Sequence, residues 1–175
     1  ETGRVWISYE GNPAIRRMLP SFARIDGVAR PSVIRAWKGN SGGEAMARLA
    51  DGRFLLFSEG RDRADGSYDA IQFSGDPVDV ATRAFRFGYR PPSGYKPTDA
   101  VQLPGGRLLI LNRHIGFPDG FSAKLVTLDP DAIDEGKAVK GRVIATLASP
   151  LLVDNMEGLA LTEESPDHSS LTIIR

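Results

Sequence analysis

The chain has 175 residues and no cysteine, and its 22 Lys and Arg residues balance its 22 Asp and Glu residues. This composition excludes disulfide scaffolds, zinc–thiolate sites and a cysteine nucleophile, and the balanced charge argues against a dedicated nucleic-acid-binding protein. No apolar run approaches the roughly 20 residues that cross a bilayer, so we expect no membrane span. The length fits one ordinary domain, and we predict a single domain over residues 1–175.

Short apolar runs separated by turn residues predict an all-β protein. Gly and Pro are common, at 19 and 12 residues, as is usual in turn-rich β structure. In chain order the predicted strands cover residues 5–7, 32–37, 44–49, 54–57, 68–73, 84–89, 100–103, 108–111, 123–128, 143–147, 157–161 and 171–174. The runs at 54–57 and 108–111 are continuously apolar, which is typical of strands buried on both faces. The best helix candidate is the short segment 130–139.

Three segments of the chain resemble one another. Each places an acid before a small or apolar residue, continues as a short strand, turns, and returns as an apolar strand. The acids are Glu44, Asp99 and Glu157, which are 55 and 58 positions apart. A period near 50 residues with two to four strands per unit is typical of β-propeller blades. We therefore predict a β-propeller-like fold with about three to four blades present, as part of a larger propeller of about six blades.

The turns of the first two repeats predict how their strands pair. If the Asp-Gly and Gly-Gly sequences form two-residue turns, Glu44 lies opposite Glu59 and Asp99 lies opposite Asn112. Like charges directly opposite each other destabilise a sheet. The Glu44–Glu59 pair would therefore need a bound cation, an arginine or a shared proton.

The same register gathers acids at one end of the sheets, which we call the mouth. A set of carboxylates at one place can hold a hard, oxygen-ligated ion such as Ca²⁺. The alternative is that these acids are solvated strand ends or pair with arginine. The candidate metal ligands are Glu10, Glu44, Glu59, Asp99 and Glu157.

Several short motifs resemble the phytase-like family, also described as "esterase-like activity of phytase". Residues 154–160, Asp-Asn-Met-Glu-Gly-Leu-Ala, are similar to its Asn-x-x-Glu-Gly-Leu-Ala signature. Residues 40–47 resemble a second Glu-containing repeat, and residues 5–10 followed by 15–17 resemble a strand that ends in Glu before an Ile-x-Arg strand. The resemblance implies a secreted or periplasmic bacterial β-propeller, whose signal peptide is not among the printed residues, and ester or phosphoester hydrolysis.

If the protein is a hydrolase, the mouth suggests roles for named residues. Calcium would polarise a phosphoryl oxygen and acidify a bound water, and Glu59 or Glu157 would take the proton as the catalytic base. Arg113 and Lys96 would bind the substrate phosphate, with His114 as a further substrate-binding residue at the end of its strand. The alternative is a non-catalytic propeller that binds a ligand or protein at the same surface. An open sheet edge would also permit self-association.

A competing motif is Gly-Asn-Ser-Gly-Gly at residues 39–43, which matches the G-x-S-x-G pattern of serine hydrolases. A nucleophile elbow requires a strand, a sharp turn and a helix, whereas a short strand and a hairpin are predicted after Ser41. No histidine precedes Ser41. We therefore interpret the motif as a turn that leads into a strand.

Overall fold

The protein is described from a computed structural model, which describes residues 3–9, 14–35, 37, 42–60, 63–116, 120–165 and 168–174. Its strands are β1 Val5–Tyr9, β2 Ala14–Met18, β3 Ile25–Ala29, β4 Gly43–Arg48, β5 Phe54–Ser58, β6 Tyr68–Phe73, β7 Ala84–Tyr89, β8 Lys96–Gln102, β9 Leu108–Gly116, β10 Gly120–Leu128, β11 Ala138–Val139, β12 Arg142–Leu147, β13 Gly158–Ser165 and β14 His168–Ile174. A short helix, α1 Ser32–Arg35, and the 3₁₀ turns Pro20–Phe22 and Pro130–Ala132 lie between strands. No helix in the described ranges is long and apolar enough to cross a membrane.

The strands form four sheets, and nearly all neighbours are antiparallel. Sheet 1 has the order β1-β2-β3, sheet 2 β11-β7-β6-β5-β4, sheet 3 β12-β10-β9-β8 and sheet 4 β13-β14. The exception is β11, which pairs in parallel with β7. Successive sheets meet through their edge strands, because β4 contacts β1 and β8, and β8 also contacts β13. The first strands of sheets 2, 3 and 4 are therefore neighbours in chain order.

The central strands β5 and β9 are buried on both faces, as their continuous apolar sequences predicted. All five residues of β5 are buried, and so are the first five of β9. Leu55 and Leu108 belong to the core between sheets 2 and 3, whereas Phe54 belongs to the core shared with sheet 1. Leu109, on the other face of β9, packs toward sheet 4. Each side of these strands faces another sheet, so neither side needs polar residues.

The predicted register of the first two hairpins is wrong by one residue. Leu49 N–H donates to Arg53 O at 2.8 Å, and Leu103 N–H donates to Arg107 O at 2.8 Å, so each turn contains three residues. Each three-residue turn ends in a glycine with positive φ, at Gly52 and Gly106. This is the usual geometry of a three-residue hairpin loop. The prediction missed it because Asp-Gly and Gly-Gly are also typical of two-residue turns. The two turns are equivalent and lie 54 positions apart, from 49 to 103.

A bulge near the other end of each hairpin shifts the register again. In sheet 2 Gly43 pairs with Ser58 and Ala45 with Phe57, which leaves Glu44 in the bulge. In sheet 3 Pro97 pairs with Asn112 and Asp99 with Leu111, which leaves Thr98 there. Glu44 is therefore not opposite Glu59, and Asp99 is not opposite Asn112. The structural equivalent of Glu44 is Thr98 rather than Asp99, because the repeat is 54 residues and not 55.

Two predicted elements differ in the structure. The segment 32–37, predicted as a strand, begins with α1, where Ile34 N–H donates to Pro31 O at 3.1 Å and Trp37 N–H to Ile34 O at 3.0 Å. The fixed φ of Pro31 suits the first turn of a helix, and the turns bring Ile34 and Trp37 into one core. The helix candidate 130–139 contains only a 3₁₀ turn, Pro130–Ala132, followed by the short strand β11.

Candidate functional site

Charged side chains from three sheets meet where β5 and β9 end and where β8 and β13 begin. Glu59 follows β5, Arg113 lies near the end of β9, and Lys96 is the first residue of β8. Asn155 and Glu157 lie just before β13. The five side chains form the Arg113 cluster, defined as Glu59, Lys96, Arg113, Asn155 and Glu157. Antiparallel pairing explains the meeting, since the end of β9 lies beside the start of β8, with Lys96 paired to Arg113.

Arg113 holds the cluster together because its guanidinium lies between two carboxylates. Arg113 Nη1 donates to Glu157 Oε1 at 2.7 Å, and Nη2 lies 3.5 Å from Glu59 Oε2. Nη1 also donates to Asn155 Oδ1 at 2.7 Å, and Asn155 Nδ2 donates to Glu157 Oε1. Lys96 Nζ donates to Glu59 Oε1 at 2.8 Å. Two acids and two cations thus alternate across the ends of three sheets.

The cluster is buried on one side and open on the other. The side chains of Glu59 and Arg113 are 18 % and 17 % exposed, whereas those of Glu157 and Lys96 are 55 % and 49 % exposed. Arg113 Nε is buried and has no hydrogen-bond partner among the described residues. The hydrogen bonds that Glu157 accepts from Arg113 and Asn155 both reach Oε1. The open side therefore offers a carboxylate oxygen and an ammonium group to a ligand.

Asp99 does not join the cluster, because its carboxylate binds backbone groups. Oδ1 accepts the N–H of Ala100 at 2.8 Å, and Oδ2 accepts the N–H of Leu159 at 2.7 Å. Burial raises the pKa of Asp99 above its ordinary value, although both backbone hydrogen bonds oppose the shift. The hydrogen bond to Leu159 joins β8 to β13, so Asp99 holds sheet 4 against sheet 3. Leu159 is only two residues after Glu157 in the chain.

Of the two remaining predicted metal ligands, Glu44 and Glu10, the structure describes only Glu44. Glu44 is half-buried in the bulge of β4, and no hydrogen bond or ion pair among the described residues joins it to the Arg113 cluster. Glu10 lies outside the described residues, as does Ser41 of the competing G-x-S-x-G motif.

His114 follows Arg113 on β9 but contacts a different set of groups. Its Nδ1 lies 2.7 Å from Gly94 O, and because a carbonyl oxygen can only accept, Nδ1 is the donor of this hydrogen bond. The ring packs on Tyr95, with centroids 5.3 Å apart, and Tyr95 Oη lies 2.9 Å from Ser122 Oγ. Successive residues of a strand point to opposite faces, so His114 and Arg113 are directed away from each other. Its predicted role in substrate binding remains a prediction.

Asn155 is the member of the cluster that the sequence reasoning did not select. It stands two residues before Glu157, within the motif at 154–160 that carried the family resemblance, so that motif was the available signal. An amide at this position can donate to one partner and accept from another, and it does both, to Glu157 and from Arg113.

The carboxylate oxygens that the structure describes here do not fit a calcium ion. The guanidinium of Arg113 occupies the space between Glu59 and Glu157, and both oxygens of Asp99 accept backbone N–H groups. Among the residues that the structure describes, no group of three or more acids or histidines could hold a metal ion. Calcium would therefore need carboxylates that are released from these partners.

A family model described as "Phytase-like: Esterase-like activity of phytase" matches residues 1–175. No curated protein was found to match the chain. The match covers the motifs at 5–10, 40–47 and 154–160 together with the sheets between them, and it confirms the resemblance that those motifs indicated.

Proposed function

The chain belongs to the phytase-like family, and from this premise we propose that it is an ester or phosphoester hydrolase that acts at the Arg113 cluster. The observation that carries the proposal is the position of Arg113 between Glu59 and Glu157, with Lys96 on the same open side. Arginine and lysine bind phosphate or carboxylate oxygens, and a carboxylate can take a proton from water. A single cluster therefore contains both functions that such a reaction requires.

The proposed architecture is a partial β-propeller whose blades are the sheets. Two features support it: the hairpins of sheets 2 and 3 repeat after 54 residues, and the first strands of successive sheets are neighbours. In a propeller these first strands surround the central axis, and their starts open at one mouth. In that architecture the Arg113 cluster, which lies at the starts of β8 and β13, would be at the mouth. Its exposed side would then face the entrance of the channel.

The proposed chemistry begins with anion binding. The phosphate group of a phosphoester, or a carboxylate group of an ester substrate, would bind Lys96 Nζ and the guanidinium of Arg113. It would displace Glu157, which is the more exposed of the two carboxylate partners of Arg113. Released Glu157 would take a proton from water as the water oxygen bonds to phosphorus or to the acyl carbon. The ester bond to the leaving alcohol breaks, and the alkoxide takes a proton from solvent. Glu59 would keep Arg113 in place.

The second candidate is a binding module without catalysis. One observation favours it: each carboxylate of the cluster already pairs with a cation, so neither is a free base while the ion pairs persist. In this case the same cations would hold an anionic ligand that is not turned over. A secreted or periplasmic location, implied by the family resemblance, is part of both proposals.

The test measures turnover and binding separately. We would assay p-nitrophenyl phosphate and p-nitrophenyl acetate with the wild-type chain, Glu157→Gln and Arg113→Met, with Lys137→Met as a control because Lys137 belongs to an exposed ion pair with Asp134. If the Arg113 cluster hydrolyses these esters, Glu157→Gln should lower the turnover number about 100-fold, and the control should leave it unchanged.

Three outcomes are distinct. No turnover, combined with calorimetric binding of phenyl phosphate that Arg113→Met abolishes, would support the binding module. Neither turnover nor binding by the wild-type chain would reject the Arg113 cluster as the site. Turnover that is equal in Glu157→Gln and wild type would reject Glu157 as the base.

A further inference from the structure

A groove on sheet 3 contains three cations that have no ion-pair partner among the described residues. The groove has a volume of about 340 Å³. Arg107 comes from the turn between β8 and β9, Lys140 from the connection between β11 and β12, and Arg142 from the start of β12. All three side chains are exposed. Three chain segments thus present positive charge to one small space.

Gly141 explains how two of these cations reach the groove. A Cβ at this position would lie 2.5 Å from Thr127 O and 2.5 Å from Val126 Cγ1, which is too close for any other residue. The backbone therefore passes directly against β10 at Gly141. Lys140 and Arg142 flank this contact, and both line the groove as a result.

The groove has a local excess of positive charge. The chain as a whole has a formal net charge of zero. Asp129 is the acid that lines this groove, and its Oδ1 already accepts the N–H of Asp131 at 3.0 Å. Two positive charges therefore remain uncompensated even if Asp129 neutralises one of the three. Like charges this close repel one another, and a bound anion would remove that cost.

We infer that this groove binds a compact polyanion with two or more phosphate groups, such as pyrophosphate or an organic diphosphate. Two guanidinium groups and an ammonium group match several phosphate oxygens better than one carboxylate. The small volume fits such a ligand. The site is separate from the Arg113 cluster, because Arg107 and Arg113 are six residues apart along β9, roughly 20 Å in a strand.

The test compares two variants with the same change in net charge. Arg107→Gln/Lys140→Gln/Arg142→Gln removes the groove cations. Arg24→Gln/Arg30→Gln/Arg83→Gln removes three exposed arginines that also form no ion pair with described residues and that do not line the groove. Pyrophosphate binding would be measured by calorimetry on the wild-type chain and both variants, with circular dichroism to verify folding.

We expect the groove variant to bind pyrophosphate about tenfold or more weakly, and the control variant to bind within about twofold of wild type. Wild-type binding should also weaken between about 0.1 M and 1 M salt, as the screening length falls. An equal loss in both variants would show only general charge attraction and would overturn the proposal, as would no wild-type binding. Hydrolysis at the Arg113 cluster should be the same in the groove variant, so the two proposals fail independently.

Discussion

Trp37 donates a hydrogen bond from its indole Nε1 to Asp69 Oδ2 at 2.6 Å, and the accepting carboxylate is fully buried. Arg86 donates to the same carboxylate from Nε at 3.1 Å and from Nη2 at 2.5 Å. Asp69 lies near the start of β6 in sheet 2, whereas Trp37 follows α1 and packs in the core shared with sheet 1. One buried acid therefore fixes the connection between the two sheets.

Replacing Asp69 by Ala should be among the most destabilising single changes in this chain. The substitution removes the acceptor of the buried Trp37 indole N–H and of two hydrogen bonds from Arg86. A buried donor that is left without its acceptor costs about 1–3 kcal/mol. Urea unfolding should show this loss. Asp134→Ala is the control, because its ion pair with Lys137 is exposed and is worth less than about 1 kcal/mol. If the two variants lose equal amounts of unfolding free energy, Asp69 does not fix the connection between the sheets.

A second Trp–Asp–Arg contact joins sheet 1 to sheet 2 and predicts a pH effect. Trp6 Nε1 donates to Asp76 Oδ1 at 2.9 Å, and Arg17 Nη1 donates to Oδ2 at 2.8 Å. Burial alone would raise the pKa of Asp76, but the hydrogen bonds from Arg17, Val78 N–H and Trp6 outweigh it and lower the pKa below its ordinary value.

A carboxyl group with a lowered pKa stabilises the folded state above its ordinary pKa of 3.8, and this stabilisation is lost as the pH falls toward the folded-state value. Wild type should therefore be more stable than Asp76→Asn at neutral pH, and the difference should shrink below about pH 4. Denaturant unfolding across this range measures it. A difference that grows toward acid would have the wrong sign and contradict the Arg17 contact.

The turn between β8 and β9 offers a matched test of backbone strain. Gly106 has φ of +82°, and neither Gly106 nor Gly105 would place a Cβ within 4 Å of another group. Gly106→Ala should cost about 1 kcal/mol because alanine resists positive φ, whereas Gly105→Ala should be neutral or slightly stabilising. Thermal unfolding of both variants measures the difference. Equal midpoints would contradict the three-residue turn.

Calcium binding at the mouth remains a prediction, and Arg113 makes it testable. If calcium binds there, it must compete with the guanidinium for Glu59 and Glu157. Arg113→Met should then gain more thermal stability from calcium than wild type gains, since binding to the folded state stabilises it by mass action. Magnesium at equal concentration controls for ionic strength. If calcium raises the melting temperature of neither wild type nor Arg113→Met, the calcium site is rejected.

The structure also shows where local sequence reasoning is sufficient. Strands 54–57 and 108–111 were predicted from apolar continuity, and each is buried by sheets on both sides. The segment 32–37 has a similarly apolar sequence but begins as a helix, because Pro31 starts a turn and Ile34 and Trp37 then reach one core. Short apolar runs do not distinguish these cases, since both structures bury the same side chains.

Local sequence patterns were enough to predict the β class, the positions of the turns, the apolar central strands and the family, because turn chemistry and apolar continuity are local properties. They also supplied Glu59, Lys96, Arg113 and Glu157 as candidates for one end of the sheets. Their hydrogen-bond and ion-pair partners depend on how the sheets pack against one another. Each turn contains one residue more than predicted, and each hairpin contains a bulge. In the resulting register Asp99 accepts the backbone N–H of Leu159 in β13, and Arg113 lies between Glu59 and Glu157. A shift of one residue turns a side chain to the opposite face of a strand, so contacts between sheets depend on a register that local patterns do not fix.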